Sequence, residues 1–250
     1  MKAMVLAAGL GTRLRPLTDN RPKALVEVAG RTLLEITLAR LRTFNVQEVI
    51  INTHHYAERV ADYLQANHNF GMRLEVSNEK ILLDTGGGLK KAAHFFLGPD
   101  GTADEPFLLH NVDVMSTIDL QSIARFHREH HALATLAVQD RKTSRYLLFD
   151  KDGQLCGRRK GRDESDELVG RAQAAQALAF SGIHIISPQI FAKMTEEGVF
   201  SIVDAYLHLA SLGEKIVAFR ADDAYWRDLG TPESVAQAAT DIEIGAYPAA

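Results

Sequence analysis

The chain has 250 residues, with 28 Lys and Arg against 32 Asp and Glu and a formal net charge of −4. At roughly 150 residues per domain this length allows one or two domains, and 46% hydrophobic with 24% charged residues is a globular composition, not a disordered one. Mild acidity argues against nucleic acid or an anionic membrane as a partner, and Cys156, the only cysteine, excludes an intrachain disulfide or a cysteine-built zinc site.

Residues 1–8 are apolar, but Gly9, Arg13 and Arg15 end the run too early for a secretory signal. No later stretch approaches the ~18 apolar residues of a membrane span, so the expected location is the cytoplasm. Residues 3–8 read as a buried strand and 33–44 as a helix, with Leu33, Leu34, Ile36, Leu38, Leu41 and Phe44 on one face. A strand at 48–52, a helix at 57–66, a strand at 72–76, a helix near 89–96 and a strand at 106–109 follow. Strands alternating with helices of this length predict crossover units and a mainly parallel sheet with helices on both faces.

After residue 130 the pattern changes. Segments 132–138, 146–150, 154–156 and 179–186 read as strands with little helix between them, which predicts antiparallel additions at the sheet edge. Helices at 188–195 and 202–212 and a strand at 215–220 come next. A last helix starts near Pro232, with Thr231 as its N-cap and proline at its first position. The tail 245–250 has no pattern and is expected to fray. The polar insert 157–176 reads as a solvated surface loop or as a lid over an anionic substrate. Neither an internal repeat nor a hexapeptide array is present, so no C-terminal β-helix is expected.

The segment Leu6-Ala7-Ala8-Gly9-Leu10-Gly11-Thr12-Arg13-Leu14 directly follows the first strand, a favoured ligand position in a parallel sheet. Gly9 and Gly11 let backbone amides approach an anion where a β-carbon would clash. The third glycine of a dinucleotide fingerprint is absent, because Leu14 stands there, and no phosphate-loop motif occurs. Instead the loop carries Arg13 and Arg15, then Lys23 behind the stiffening Pro22. A constrained loop with an arginine and a lysine suits a triphosphate.

This segment, with Pro22-Lys23-Ala24-Leu25, resembles the signature of the sugar-1-phosphate nucleotidyltransferases. The resemblance covers most of the chain and is closest to single-domain bacterial members, such as N-acetylmuramate-1-phosphate uridylyltransferases and mannose-1-phosphate guanylyltransferases. It implies a Rossmann-like α/β fold, a mixed, mainly parallel sheet flanked by helices of the nucleotide-diphospho-sugar transferase type. One domain would then comprise a nucleotide-binding half to about residue 115 and a sugar-binding half over about 116–240. It also implies transfer of a nucleotidyl group from an NTP to a sugar 1-phosphate, with Mg²⁺ as cofactor and a monomer or homodimer as the assembly. By the same resemblance Arg13 and Lys23 are catalytic, and Leu6, Ala7, Ala8, Gly9, Gly11 and Thr12 bind nucleotide.

An apolar strand runs into Asp113 at its C-terminal end, where a side chain points into the ligand crevice. The family places a metal-binding aspartate here, usually after glycine, whereas this chain has Val112. Trp226-Arg227-Asp228-Leu229-Gly230-Thr231-Pro232-Glu233 matches a second family segment, with Asp228 as the other metal ligand. Two carboxylates with phosphate oxygens and waters suit Mg²⁺. Asp84-Thr85-Gly86-Gly87-Gly88 opens a helix, and the resemblance assigns Thr85, Gly86 and Gly87 to the nucleobase; Asn78-Glu79 is a weaker nucleotide-facing candidate. Ser181 and Gly182 are expected in the sugar pocket. The family's Glu-Lys-Pro triplet, whose lysine touches the sugar phosphate, is missing, which leaves Arg158, Arg159 or Lys160 for that contact.

His54, His55, His127, His130 and His131 read as surface or helix-end residues, not zinc ligands, and Cys156 reads as a small buried apolar residue. UTP with a hexose-type or N-acetylmuramate 1-phosphate is the expected substrate pair. Alternatives are a GTP-using mannose- or heptose-1-phosphate guanylyltransferase, a phosphocholine cytidylyltransferase, or an inactive paralogue that senses a nucleotide sugar.

Overall fold

A computed structural model describes residues 1–98, 101, 103, 105–160, 165–170 and 175–248. The first half runs β1 (Ala3–Leu6), β2 (Glu27–Val28), β3 (Arg31–Thr32), α1 (Leu33–Thr43), β4 (Glu48–Thr53), α2 (Ala57–Ala66) and β5 (Arg73–Asn78). It continues through α3 (Asp84–Lys91), α4 (Ala93–Phe96), β6 (Phe107–Asn111), β7 (Val114–Ser116) and α5 (Leu120–Glu129). The second half has β8 (Ala134–Gln139), β9 (Arg145–Phe149), β10 (Leu155–Lys160), β11 (Glu167–Leu168) and β12 (Gln176–Ile186). It ends with α6 (Ile190–Lys193), α7 (Ile202–Ser211), β13 (Ile216–Arg220), β14 (Trp226–Asp228) and α8 (Pro232–Glu243).

The central sheet is mixed. Its order is β11-β10-β9-β12-β6-β1-β4-β5, with β8 beside β12 and β13 beside β8. β6, β1, β4 and β5 are parallel to one another, while β12 runs antiparallel to β6, β8 and β9. The period-2 pleat of the buried strands feeds two layers. Ala3, Val5, Val49, Ile51 and Leu108 pack with α1, α2, α5 and α8 on one face, whereas Met4, Ile50, Phe107 and Leu109 pack with α3, α4, α6 and α7 on the other. Caps stop and start the helices as their chemistry requires. Thr32, Asp119, Ser201 and Thr231 each accept an N–H of the helix that follows.

Several boundaries differ from those expected. The helix expected near 89–96 begins at Asp84 and breaks at Ala92 into α3 and α4. The helix expected at 188–195 is a single turn over Ile190–Lys193. Both ends of the polar insert are strand, because β10 runs to Lys160, β12 starts at Gln176 and β11 pairs with β10. Residues 161–164 and 171–174 of that insert lie outside the described residues. The tail is held instead of frayed, at least as far as Tyr247. That side chain is 5% exposed, its N–H donates to the Asp241 carbonyl at 3.1 Å, and its ring lies 5.4 Å from that of Tyr225.

His127 lies at a helix end as expected, in the last turn of α5, but faces the core and not the surface. It is buried and hydrogen-bonded to Thr135 Oγ1 and Ser187 Oγ, both at 2.9 Å. His110 and His184 are buried as well, the latter 2.8 Å from Tyr206 Oη. Burial pushes His110 and His127 down to about 4 and His184 down to about 3. In the unfolded chain these rings titrate near 6.5. Below that pH the unfolded chain takes up protons that the folded core refuses, so stability is full above about 6.5 and falls as the pH drops toward 4. The melting temperature should therefore decline steadily from pH 7 to pH 4.5 in a thermal scan, and a flat profile over that interval would contradict the buried, neutral state of these rings.

Candidate active site

β1 lies between β4 and β6, so the loops leaving the carboxyl ends of three parallel strands converge. Gly11 turns the first loop with φ +64°, and its carbonyl accepts Leu14 N–H at 2.9 Å and Thr18 Oγ1 at 2.8 Å. A β-carbon at Gly11 would stand 2.9 Å from Thr18 Cγ2, so a side chain is excluded by space as well as by conformation. The short turn Thr12–Leu14 buries Leu14 and leaves Thr12 and Arg13 exposed.

A buried relay fixes the start of this loop. Ala7 N–H donates to Asn52 Oδ1 at 2.7 Å, and Asn52 Nδ2 donates to Glu79 Oε1 at 2.8 Å. Glu79 Oε2 accepts Leu83 N–H at 2.9 Å. Glu79 is 2% exposed, so it does not face a nucleotide as the sequence led us to expect; it ties β4 and the entry to α3 to the glycine loop.

The two aspartates meet through a pairing that sequence reasoning missed. β7 and β14 form an antiparallel ladder with Val114 opposite Asp228, and Leu229 N–H donates to the Asp113 carbonyl at 2.8 Å. Asp113 is 9% exposed and forms an ion pair with Lys23. Gly230 N–H donates to Asp228 Oδ1 at 2.6 Å. A methyl group on Gly230 would sit 2.5 Å from that oxygen and 2.7 Å from Arg13 Nη2, so Arg13 and Asp228 flank the same bare backbone. Val112, in place of the expected glycine, packs into the core without entering the left-handed region, and Asp113 keeps its place at the strand end.

Two adjoining cavities open here. The smaller, about 470 Å³, is lined by Leu6, Ala8, Gly9, Lys23, Thr85 and Asp113 among others. The larger, about 900 Å³, is lined by Ser181, Gly182, Trp226 and Asp228 together with Arg141 and Tyr146. Asp84, Thr85 and Asn111 line both. Gly182 adopts φ +71° at a bulge in β12, where a β-carbon would meet Asn111 Nδ2 at 2.8 Å.

The glycines of α3 have a different reason from the one expected. Gly86 and Gly87 N–H both donate to the Phe200 carbonyl, at 2.9 and 3.3 Å, and are therefore not free to read a base edge. Side chains at these positions would collide with the Phe200 ring and the Gly198 carbonyl. Thr85 Oγ1 accepts Ile202 N–H at 2.9 Å, so the helix start is clamped to the segment that leads into α7.

On the far side, Arg158 pairs with Glu167 and Asp204, and Arg159 pairs with Asp166. Arg141, which sequence reasoning passed over, stacks its guanidinium 3.4 Å from the Trp226 ring centroid and donates from Nη2 to the Phe180 carbonyl at 2.7 Å. Burial pushes it down to about 10, opposed by the nearby Asp228 carboxylate, and it remains a cation at neutral pH. Cys156 is buried and its thiol is pushed up to about 11 by that burial, in keeping with an inert core residue.

Among the described residues no group of three or more His, Cys, Asp or Glu could hold a metal unaided. Two carboxylates fit magnesium nonetheless, because that ion keeps several waters and takes further oxygens from substrate phosphates. The Lys23 ammonium beside Asp113 marks this corner as one that receives a cation.

A family model described as Nucleotidyl transferase matches residues 2–244. The chain belongs to the nucleotidyl transferase family. The N-acetylmuramate alpha-1-phosphate uridylyltransferase of Caulobacter vibrioides is 33% identical over 93% of each chain. The mannose-1-phosphate guanylyltransferase of Mycobacterium tuberculosis is 26% identical over 98% of this chain and 66% of its own length. Among solved structures, HddC from Yersinia pseudotuberculosis, complexed with GMP-PN, superposes with a TM-score of 0.76 at 22% identity, covering 96% of this chain and 99% of that one. The fold is thus that of the nucleotide-diphospho-sugar transferases. Membership makes this family protein an enzyme, a sugar-phosphate nucleotidyltransferase. Among its described residues no helix is long and apolar enough to cross a membrane.

Proposed function

We propose that this family member transfers a uridylyl group from UTP to a hexose-type sugar 1-phosphate, N-acetylmuramate 1-phosphate foremost, and releases pyrophosphate. The observation that carries the reading is that three distant parts of the chain bring Lys23 and Asp113 to the smaller cavity and Asp228 to the adjoining larger one, with Arg13 beside Asp228 at Gly230. The choice of UTP and of the sugar rests on the uridylyltransferase relative that matches over nearly its whole length.

A sugar-phosphate oxygen attacks the α-phosphorus, and the bond to the bridging oxygen breaks as pyrophosphate leaves. Little covalent work falls to the protein, so positioning and charge neutralisation carry the acceleration. Gly9 and Gly11 bring backbone amides to the phosphates, with Leu6, Ala7, Ala8 and Thr12 shaping the path around them. Arg13 neutralises charge on the α-phosphate and the departing pyrophosphate. Lys23 releases Asp113 and holds phosphate from the opposite side. Asp113 and Asp228 would hold Mg²⁺, which would supply Lewis-acid charge neutralisation to the reacting phosphates. The rim of α3 at Thr85, backed by Gly86 and Gly87, borders the base, and Ser181 and Gly182 border the sugar. The first 115 residues thus serve the nucleotide and most of the rest the sugar, in a monomer or homodimer working in the cytoplasm.

A quaternary ammonium substrate fits the larger cavity poorly, since Arg141 covers the Trp226 face that would cage it. A purely sensing protein would have no use for the whole set Arg13, Lys23, Asp113 and Asp228, and all four are present. The test is pyrophosphate release with Mg²⁺ across four NTPs and the 1-phosphates of mannose, glucose, N-acetylglucosamine and N-acetylmuramate. UTP with N-acetylmuramate 1-phosphate should give the fastest release. Preference for GTP with mannose 1-phosphate would replace the substrate pair, and silence across the panel would overturn the reading.

A further inference from the structure

Arg141 is a half-buried cation: the Asp228 carboxylate lies near enough to favour its charge but forms no ion pair with it. Its Nε is buried and has no hydrogen-bond partner, and no carboxylate among the described residues pairs with it. One N–H reaches the Phe180 carbonyl, and the guanidinium plane rests on Trp226, whose own Nε1 donates to the Ser181 carbonyl at 2.8 Å. Ser181 Oγ, in the same corner, is also buried without a partner. Holding a partly desolvated guanidinium without an ion pair costs free energy, and an entering anion recovers part of that cost. The other arginines of the cavity are already engaged: Arg158 Nε and Nη2 reach both oxygens of Glu167, and Arg159 Nε and Nη2 reach both oxygens of Asp166. Arg145 and Lys160 are exposed, where water meets their charge without cost.

Resting on the reading of the chain as a sugar-1-phosphate transferase, we propose that Arg141 binds the phosphate of the sugar 1-phosphate, with Trp226 as the platform that orients it. The guanidinium lies in the cavity that also holds Asp228, Ser181 and Gly182. A phosphate caught by its fork is presented beside that aspartate, where the proposed transfer takes place. The planar fork matches two phosphate oxygens at once, which a lysine cannot do. Arg141 therefore supplies the cation that the missing Glu-Lys-Pro triplet would otherwise provide, and Arg158 and Arg159, the earlier candidates, serve to close the β10–β11 edge against α7.

Trp226 is the single tryptophan, so its emission reports on Arg141 without interference. Titration of the wild-type protein with N-acetylmuramate 1-phosphate, and separately with inorganic phosphate, should change that emission, whereas unphosphorylated N-acetylmuramate should not. Arg141→Gln should abolish the response and raise the KM for sugar 1-phosphate at least tenfold, with the KM for NTP changed less than twofold. Arg141→Lys, which keeps the charge without the fork, should fall between the two and serves if the glutamine variant does not fold. A role limited to packing under Trp226 would alter the emission of the free protein but leave the phosphate response and the KM for sugar 1-phosphate in place, and that result overturns the proposal. Wild-type turnover with an unchanged KM in both variants does so too while leaving the transferase reading intact. An Arg141-dependent phosphate response without turnover on any substrate pair would instead sink the transferase reading alone.

Discussion

Asp113→Asn and Asp228→Asn should each lower turnover by about 10²-fold or more, the scale of losing one preorganised charged group at a developing charge. Both substitutions are isosteric. Asp113 is tied to Leu229 through its backbone carbonyl, and an asparagine keeps that bond. Asp228 Oδ1 accepts from Gly230 N–H, and an amide oxygen can do the same. The fold should therefore survive, with Lys23 in the first variant losing only its counter-charge. Because the two acids are proposed to serve one ion, the effects should not multiply: the double variant should lie close to the worse single one. Rates of pyrophosphate release over a magnesium titration, with a melting curve for each protein, separate loss of chemistry from loss of fold. Near-wild-type turnover in both single variants would remove the metal assignment.

Glu79→Ala should cause the largest loss of stability, about 2–4 kcal/mol, because it strands one buried and one half-buried donor at about 1–3 kcal/mol each. These are Asn52 Nδ2 and Leu83 N–H, both bound to the Glu79 carboxylate. For a chain of this size that corresponds to a fall in melting temperature of roughly 5–15 °C. Glu79→Gln keeps the shape and one acceptor, so its loss should be smaller. A melting temperature within 2 °C of wild type in the alanine variant would show that the relay carries little. The same variant should weaken nucleotide binding, because Asn52 would lose the anchor that presents its oxygen to Ala7.

The parallel half was legible because each buried strand is a short apolar run and each helix carries an apolar face and a cap. The glycine loop was legible too, since its glycines, cations and prolines form one contiguous segment. Asp113 and Asp228 could be named individually, but their adjacency could not. It depends on β7 and β14, three residues each and more than a hundred positions apart, too short to leave a period in the sequence. Glu79 was misplaced for a related reason: a carboxylate just past a strand end reads as facing the ligand crevice until the partners that bury it, Asn52 of β4 and Leu83 ahead of α3, are in place. The glycines of α3 point to close approach but not to what approaches, and here it is the chain itself at 198–200. Arg141 lacked any signal, since a lone arginine after a strand looks like surface charge.

The shared wall of the two cavities has a consequence for what happens after the reaction. On the proposed reading each substrate would enter one chamber and could leave it independently. A sugar nucleotide formed between them would occupy both chambers as a single tethered molecule, and when one end let go the other would keep it at high local concentration, ready to rebind. Pyrophosphate has no such second foothold. On the proposed reading the bulky product would then be the slower to leave, and loosening either chamber alone should quicken turnover at saturating substrate even as it weakens capture of that chamber's own ligand.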